Sequence, residues 1–117
     1  MQLDEMSFDG PTPVEGYGPG FFRVAGEVFD GAQALLPGRV QGWAGLADFA
    51  PFLAAADVID VLLVGTGADI APLPTDQRRA LEAAGIGVEV MATPSACRTY
   101  NVLLAEGRRV AAALLPV

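Results

Sequence analysis

The sequence contains no histidine and no lysine, and each absence removes a class of chemistry. Without an imidazole, no side chain has an ordinary pKa suited to general base catalysis near neutrality, and zinc loses its usual nitrogen ligand. Without a lysine there is no Schiff-base amine and no P-loop cation for a nucleotide phosphate. The one cysteine, Cys97, cannot form an internal disulfide, so the fold needs no oxidising compartment. Positive charge is scarce: arginine alone supplies it, and the formal net charge is −7 at pH 7. That balance argues against nucleic acid, whose phosphates require a basic surface, and leaves no polybasic patch for anionic lipid. An acidic exterior serves solubility in most proteins. No uncharged run approaches the roughly 20 residues that cross a bilayer. The start, Met1-Gln2-Leu3-Asp4-Glu5, is acidic where a signal or transit peptide is basic. The expectation is a cytoplasmic protein with no direct membrane insertion.

What is present is enough for one folded unit. The 117 residues suit a single domain, and an apolar fraction of 52% builds a core without metal or disulfide. Alanine is abundant, so elements can approach closely. Residues 1–20 are punctuated by Gly10, Pro11, Pro13, Gly16, Gly18, Pro19 and Gly20, which predicts an arm or loop with at most a short edge strand near Leu3–Phe8. Residues 21–117 form the α/β domain. Phe21–Ala25 reads as a strand, Gly26-Glu27 as a turn and Val28-Phe29 as the return. Ala34–Leu36 is a short apolar piece stopped by Pro37-Gly38, and Arg39–Ala44 can be a third strand.

From residue 48 the pattern changes. Asp48 suits an N-cap, and Phe49, Phe52, Leu53 and Ala56 share one helical face, with the helix ending near Ala56. Val58–Val64 is apolar apart from Asp60 and reads as a strand buried on both sides. Thr75 or Asp76 caps a short helix that ends before Gly85, and Val88–Met91 is the next strand. Thr93 caps the last helix, Pro94 takes its first position, and the helix runs to about Ala105. Arg109–Leu115 is a final apolar strand. Strand, helix, strand, helix, strand implies a parallel or mixed sheet covered by helices, with antiparallel strands added at one side by the first half.

Two segments invite a functional reading. Gly65-Thr66-Gly67 follows a strand, as a dinucleotide fingerprint does, but the third glycine of that pattern falls on Ile70, and Pro72 and Pro74 delay the helix. The loop nonetheless lies at the carboxyl end of a strand, where open α/β sheets gather ligands. In the last helix, Ala96, Tyr100, Leu103 and Leu104 share one side, Cys97 borders it, and Arg98 and Asn101 lie opposite. A helix start with free N–H groups, the Ser95 hydroxyl and Arg98 would bind a small anion. The plainer alternative is that Thr93 caps its own helix while Arg98 pairs with an acidic neighbour. Cys97, lacking a histidine to activate it, is expected to be an inert core thiol. Asp60 is expected at an exposed strand start or in an ion pair. No carboxylate pair or metal set emerges, so no catalytic residue and no cofactor is assigned.

Thr93-Pro94-Ser95-Ala96-Cys97-Arg98-Thr99-Tyr100-Asn101, with Val64-Gly65-Thr66-Gly67 and the ending Glu106-Gly107-Arg108-Arg109-Val110 through Pro116, resembles a known family. It is the family of small domains of unknown function that includes mitochondrial complex I assembly factor 3 and the adipogenesis-associated Mth938-like domain protein. The likeness spans Phe21 to Pro116. It implies a three-layer α/β domain with a central mixed, largely parallel sheet and an additional antiparallel β portion near the N-terminus. It further implies a bacterial relative of respiratory-complex assembly proteins, working close to the membrane and encoded near protein-export genes. The family carries no established activity, so the resemblance transfers no catalytic residue. It covers the Gly65-Thr66-Gly67 loop and the Arg98–Asn101 segment; with the helix start read above, the candidate ligand-binding positions are Gly65, Thr66, Gly67, Thr93, Ser95, Arg98 and Asn101. Two functions stand: a non-enzymatic module that binds a protein partner, with self-association as one form of it, or a small-anion site, catalytic or not, at the strand ends.

Overall fold

Val110–Leu115 has no polar alternate, and such a strand needs cover on both faces. In the computed structural model, which describes residues 5–117, it has that cover. The elements are β1 (Glu5–Ser7), β2 (Val14–Gly18), β3 (Phe21–Val24), β4 (Glu27–Asp30), β5 (Gln33–Leu36), β6 (Arg39–Gly42), α1 (Ala50–Ala54), β7 (Val61–Thr66), α2 (Thr75–Ala83), β8 (Gly87–Met91), α3 (Thr93–Ala105) and β9 (Val110–Leu115). Six strands form one sheet in the order β1-β6-β5-β9-β7-β8, and β2-β3-β4 form a second. The main sheet is mixed. Its parallel ladders join β7 to β8 and to β9, while β1, β6, β5 and β9 pair antiparallel. The parallel part is smaller than the sequence suggests, because the first half of the chain adds three antiparallel strands.

Strand alternation sorts the core into two halves. Val110, Ala112 and Leu114, with Leu63, face Ala96 and Tyr100 of α3 and Phe22 and Val24 of the small sheet. Ala111 and Ala113, with Leu62 and Val64, face Phe52 of α1 and Leu81 of α2. The result is three layers: α1 and α2, the six-stranded sheet, then α3 with the small sheet.

Several expectations need correction. Val14–Gly18 is a strand, not part of a loop, and Val14 is buried. Gly16 and Gly18 lie within the strand, and Pro19-Gly20 closes the β2–β3 hairpin, with Gly20 at φ 80°. Gly18 also makes room, since a Cβ there would meet the Phe21 ring at 2.5 Å. The expected edge strand near Leu3–Phe8 is β1, and positions 3 and 4 lie outside the described residues. The β3–β4 hairpin turns at Ala25 and Gly26, both with positive φ, the twist that joins antiparallel strands in two residues. Helix α1 stops at Ala54 rather than Ala56, and the Asp48 carboxylate accepts from the Ala50 N–H at 3.0 Å. The Trp43 ring packs edge-on against Phe49 and Phe52, which tilt against each other, and all three belong to the core. Helix α3 closes as a Schellman motif: Gly107 takes φ 78°, its N–H donates to the Leu104 carbonyl, and Arg108 donates to Leu103.

Candidate functional site

The carboxyl end of β7, where the sequence placed a binding loop, is a closed junction. Gly65 sits where α3 crosses the strand. A Cβ there would come within 2.8 Å of Thr93 Oγ1, 3.0 Å of Thr93 Cα and 3.1 Å of Ala96 Cβ, so only glycine lets the helix approach this closely. Thr93 is fully buried and does not cap α3. Its hydroxyl accepts from the Gly67 N–H at 2.8 Å and donates to the Leu115 carbonyl at 2.6 Å. Its own N–H donates to the Gly67 carbonyl at 2.8 Å. One threonine therefore ties the β7 loop, the start of α3 and the end of β9 together. Thr66 closes the loop from inside: its hydroxyl donates to the Asp69 carbonyl at 2.8 Å and accepts from the Ala71 N–H at 2.9 Å.

These bonds consume what an anion would need. The Thr93 N–H is taken, Pro94 has none, and the Ala96 N–H already donates to the Ala92 carbonyl. Ser95 alone keeps its N–H for a ligand, whereas anion sites at helix starts use several converging donors. Gly65, Thr66, Gly67 and Thr93 are thus brought together, but as internal partners.

Asn101 is also structural. Its Oδ1 accepts from the Val14 N–H and its Nδ2 donates to the Val14 carbonyl, both at 2.8 Å, as a neighbouring strand would. The Tyr100 hydroxyl donates to the Thr12 carbonyl at 3.1 Å and lies 3.2 Å from the Thr12 hydroxyl. Together they clip the segment that leads into β2 against α3. The sequence expected Asn101 to face outward, and the unrecognised β2 explains the difference.

Arg98 differs from these. It is exposed, and among the described residues it forms no ion pair: those within 4.0 Å are Arg39–Glu5, Arg78–Glu82 and Arg109–Asp60. Pairing with an acidic neighbour, the plainer expectation, does not occur among them. Arg98 lines a groove of about 230 Å³ between α3 and β2, beside Pro94 and Tyr17, which is 40% exposed. Cys97 touches the same groove, but it is 4% exposed and burial pushes its thiol up to about 11. It belongs to the core. Glu15, on the other wall, is bound to the Gly26 N–H at 2.7 Å. Asp60 is exposed just before β7 and is also paired, so both of its expectations hold. The Arg109 guanidinium donates to both of its oxygens at 2.6 and 3.1 Å and holds its carboxyl below the usual range. Among the described residues no three histidine, cysteine or acidic side chains cluster to hold a metal, and no helix is long and apolar enough to cross a membrane.

Fold and junction together define a small mixed α/β domain whose signature loop is an internal tie. The comparisons give it a family. The profile described as protein of unknown function (DUF498/DUF598) matches residues 14–115, and the chain belongs to that family. It is 51% identical over 117 residues to an uncharacterised protein of Rhodobacter capsulatus, covering all of this chain and 94% of the relative. It is 35% identical over 112 residues to NADH dehydrogenase (ubiquinone) 1 alpha subcomplex assembly factor 3 of Danio rerio, covering 90% of this chain and 64% of that protein. The assembly factor 3 relatives therefore extend well beyond the matched region. Among solved structures it resembles an outer membrane protein from Bartonella henselae, with TM-score 0.85 and 38% identity over 92% of this chain and 97% of that one. It also resembles a Mth938-like domain of Bordetella pertussis, with TM-score 0.74 and 38% identity over 90% and 85% of the two chains.

Proposed function

We propose that this chain is an assembly-factor-like module that binds a protein partner during construction of a membrane complex, and that it docks through the groove between α3 and β2. The observation that carries the reading is Arg98. On a chain of net charge −7 it is an exposed guanidinium without an acidic partner among the described residues, set beside the exposed ring of Tyr17. Arginine and tyrosine are the residue types that anchor interfaces, and a guanidinium calls for a carboxylate on the other side. The relatives named as assembly factors support the class of role. The alternative, a small-anion or catalytic site at the strand ends, has less support, because Thr93 and Thr66 already occupy the donors there.

The reading is tested by placing a photo-crosslinking residue at Tyr17 in the native host. A crosslink to a subunit or biogenesis factor of a membrane complex, lost on Arg98→Glu, is expected. Crosslinks confined to chaperones, or unchanged by Arg98→Glu, would overturn it. A crosslink to a second copy of the chain would replace the hetero-partner with self-association.

A further inference from the structure

At the opposite end of the sheet from the Thr93 junction lies a cleft of about 430 Å³, within the range of small-ligand sites. It opens between the segment after β1, the β5–β6 turn and the loop from α3 to β9. Leu36, Val58, Leu104 and Val110 line it, and Val58 is 43% exposed despite its apolar side chain. Polar groups at the cleft are mostly spoken for. Tyr100 and Thr12 bond each other, and the Arg109 guanidinium holds Asp60 and donates to the Asp57 carbonyl at 3.0 Å. Arg108 differs: it is exposed, lines the cleft, and forms no ion pair among the described residues. Its backbone is fixed by the Schellman closure of α3, which seats it at the cleft on a rigid support.

We infer that this cleft binds a small amphipathic monocarboxylate, with its apolar body against Val58 and Leu104 and its carboxylate on Arg108. An exposed guanidinium that forms no ion pair among the described residues, within the field of the Asp60 carboxylate and beside apolar walls, fits one negative charge on an apolar ligand. A dianion would leave a charge facing apolar surface, and an uncharged hydrocarbon would leave the guanidinium unused. This site is independent of the α3–β2 groove, so either can fail without the other.

The probe is octanoate below its micellar concentration, titrated into isotope-labelled protein, with octanol as the uncharged control. Saturable amide shifts at Gly10, Gly38, Gly107 and Val110 are expected, with octanol weaker. Arg108→Gln should weaken octanoate about tenfold, the loss of one charge-assisted contact, and leave octanol unchanged. Val58→Asp should weaken both. Both side chains are exposed, so the variants should keep the fold, which the unperturbed spectrum of α2 and β8 checks. Absence of saturable shifts, equal binding of octanol and octanoate, or octanoate binding indifferent to Arg108→Gln would each overturn the inference.

Discussion

The two ends of the central sheet use glycine in opposite ways. At the carboxyl end of β7, Thr93 bonds Gly67 and Leu115, Thr66 bonds Asp69 and Ala71, and Gly65 leaves room for α3, so little is left to bind anything. At the other end, Gly10, Gly38 and Gly107 mark turns around a cleft whose walls are apolar and whose exposed arginine carries no partner among the described residues. A motif of small polar residues at a strand end therefore reads as a ligand loop only when its donors remain free. Here they are consumed in joining three elements.

That contrast is open to mutation. Gly65→Ala should have the largest effect, a loss of about 3 kcal/mol, because the new Cβ meets Thr93 and the α3 backbone and separates helix from strand. Urea denaturation measures it. Thr93→Val keeps the shape but strands the Gly67 N–H and the Leu115 carbonyl, and should cost about 2 to 3 kcal/mol in the same assay. Asn101→Ala releases both backbone groups of Val14 and should cost about 1 to 2 kcal/mol, with exchange-rate increases confined to β2. Cys97 should resist thiol reagents in the native protein at neutral pH. Because its folded pKa of about 11 lies above the ordinary 9.0, its contribution is complete below pH 9 and declines as pH rises towards 11. Arg98→Ala should change stability by less than about 0.5 kcal/mol, since nothing in the described fold depends on that guanidinium. If Arg98→Ala proved as costly as Thr93→Val, the division between tie and surface would collapse.

Much of this was legible in the sequence. The strand–helix alternation from Val58 onward, the closure of α2 and α3 by Gly85 and Gly107, and the inert thiol all follow from local pattern. The structure of residues 14–18 was not legible, because a strand rich in glycine lacks the apolar alternation that marks strands, and its pairing with β3 and Asn101 is tertiary. The part played by Thr93 was hidden for a related reason. A threonine before proline at a helix start is locally a cap, and only the position of Leu115 in β9, 22 residues later in the chain, shows that its hydroxyl is committed elsewhere. The same holds for the cleft beside Arg108, whose walls come from segments scattered along the sequence.

Native-state hydrogen exchange of the Gly67 and Thr93 amides bears most directly on whether the β7 end is a tie. Their N–H groups are bonded to the Thr93 hydroxyl and the Gly67 carbonyl, so both should exchange only through global unfolding, with the protection of central strand amides in β7 and β9. Exchange of Gly67 by local opening, at the rate of the exposed Ala68–Ile70 stretch, would show a mobile binding loop and contradict the closed junction.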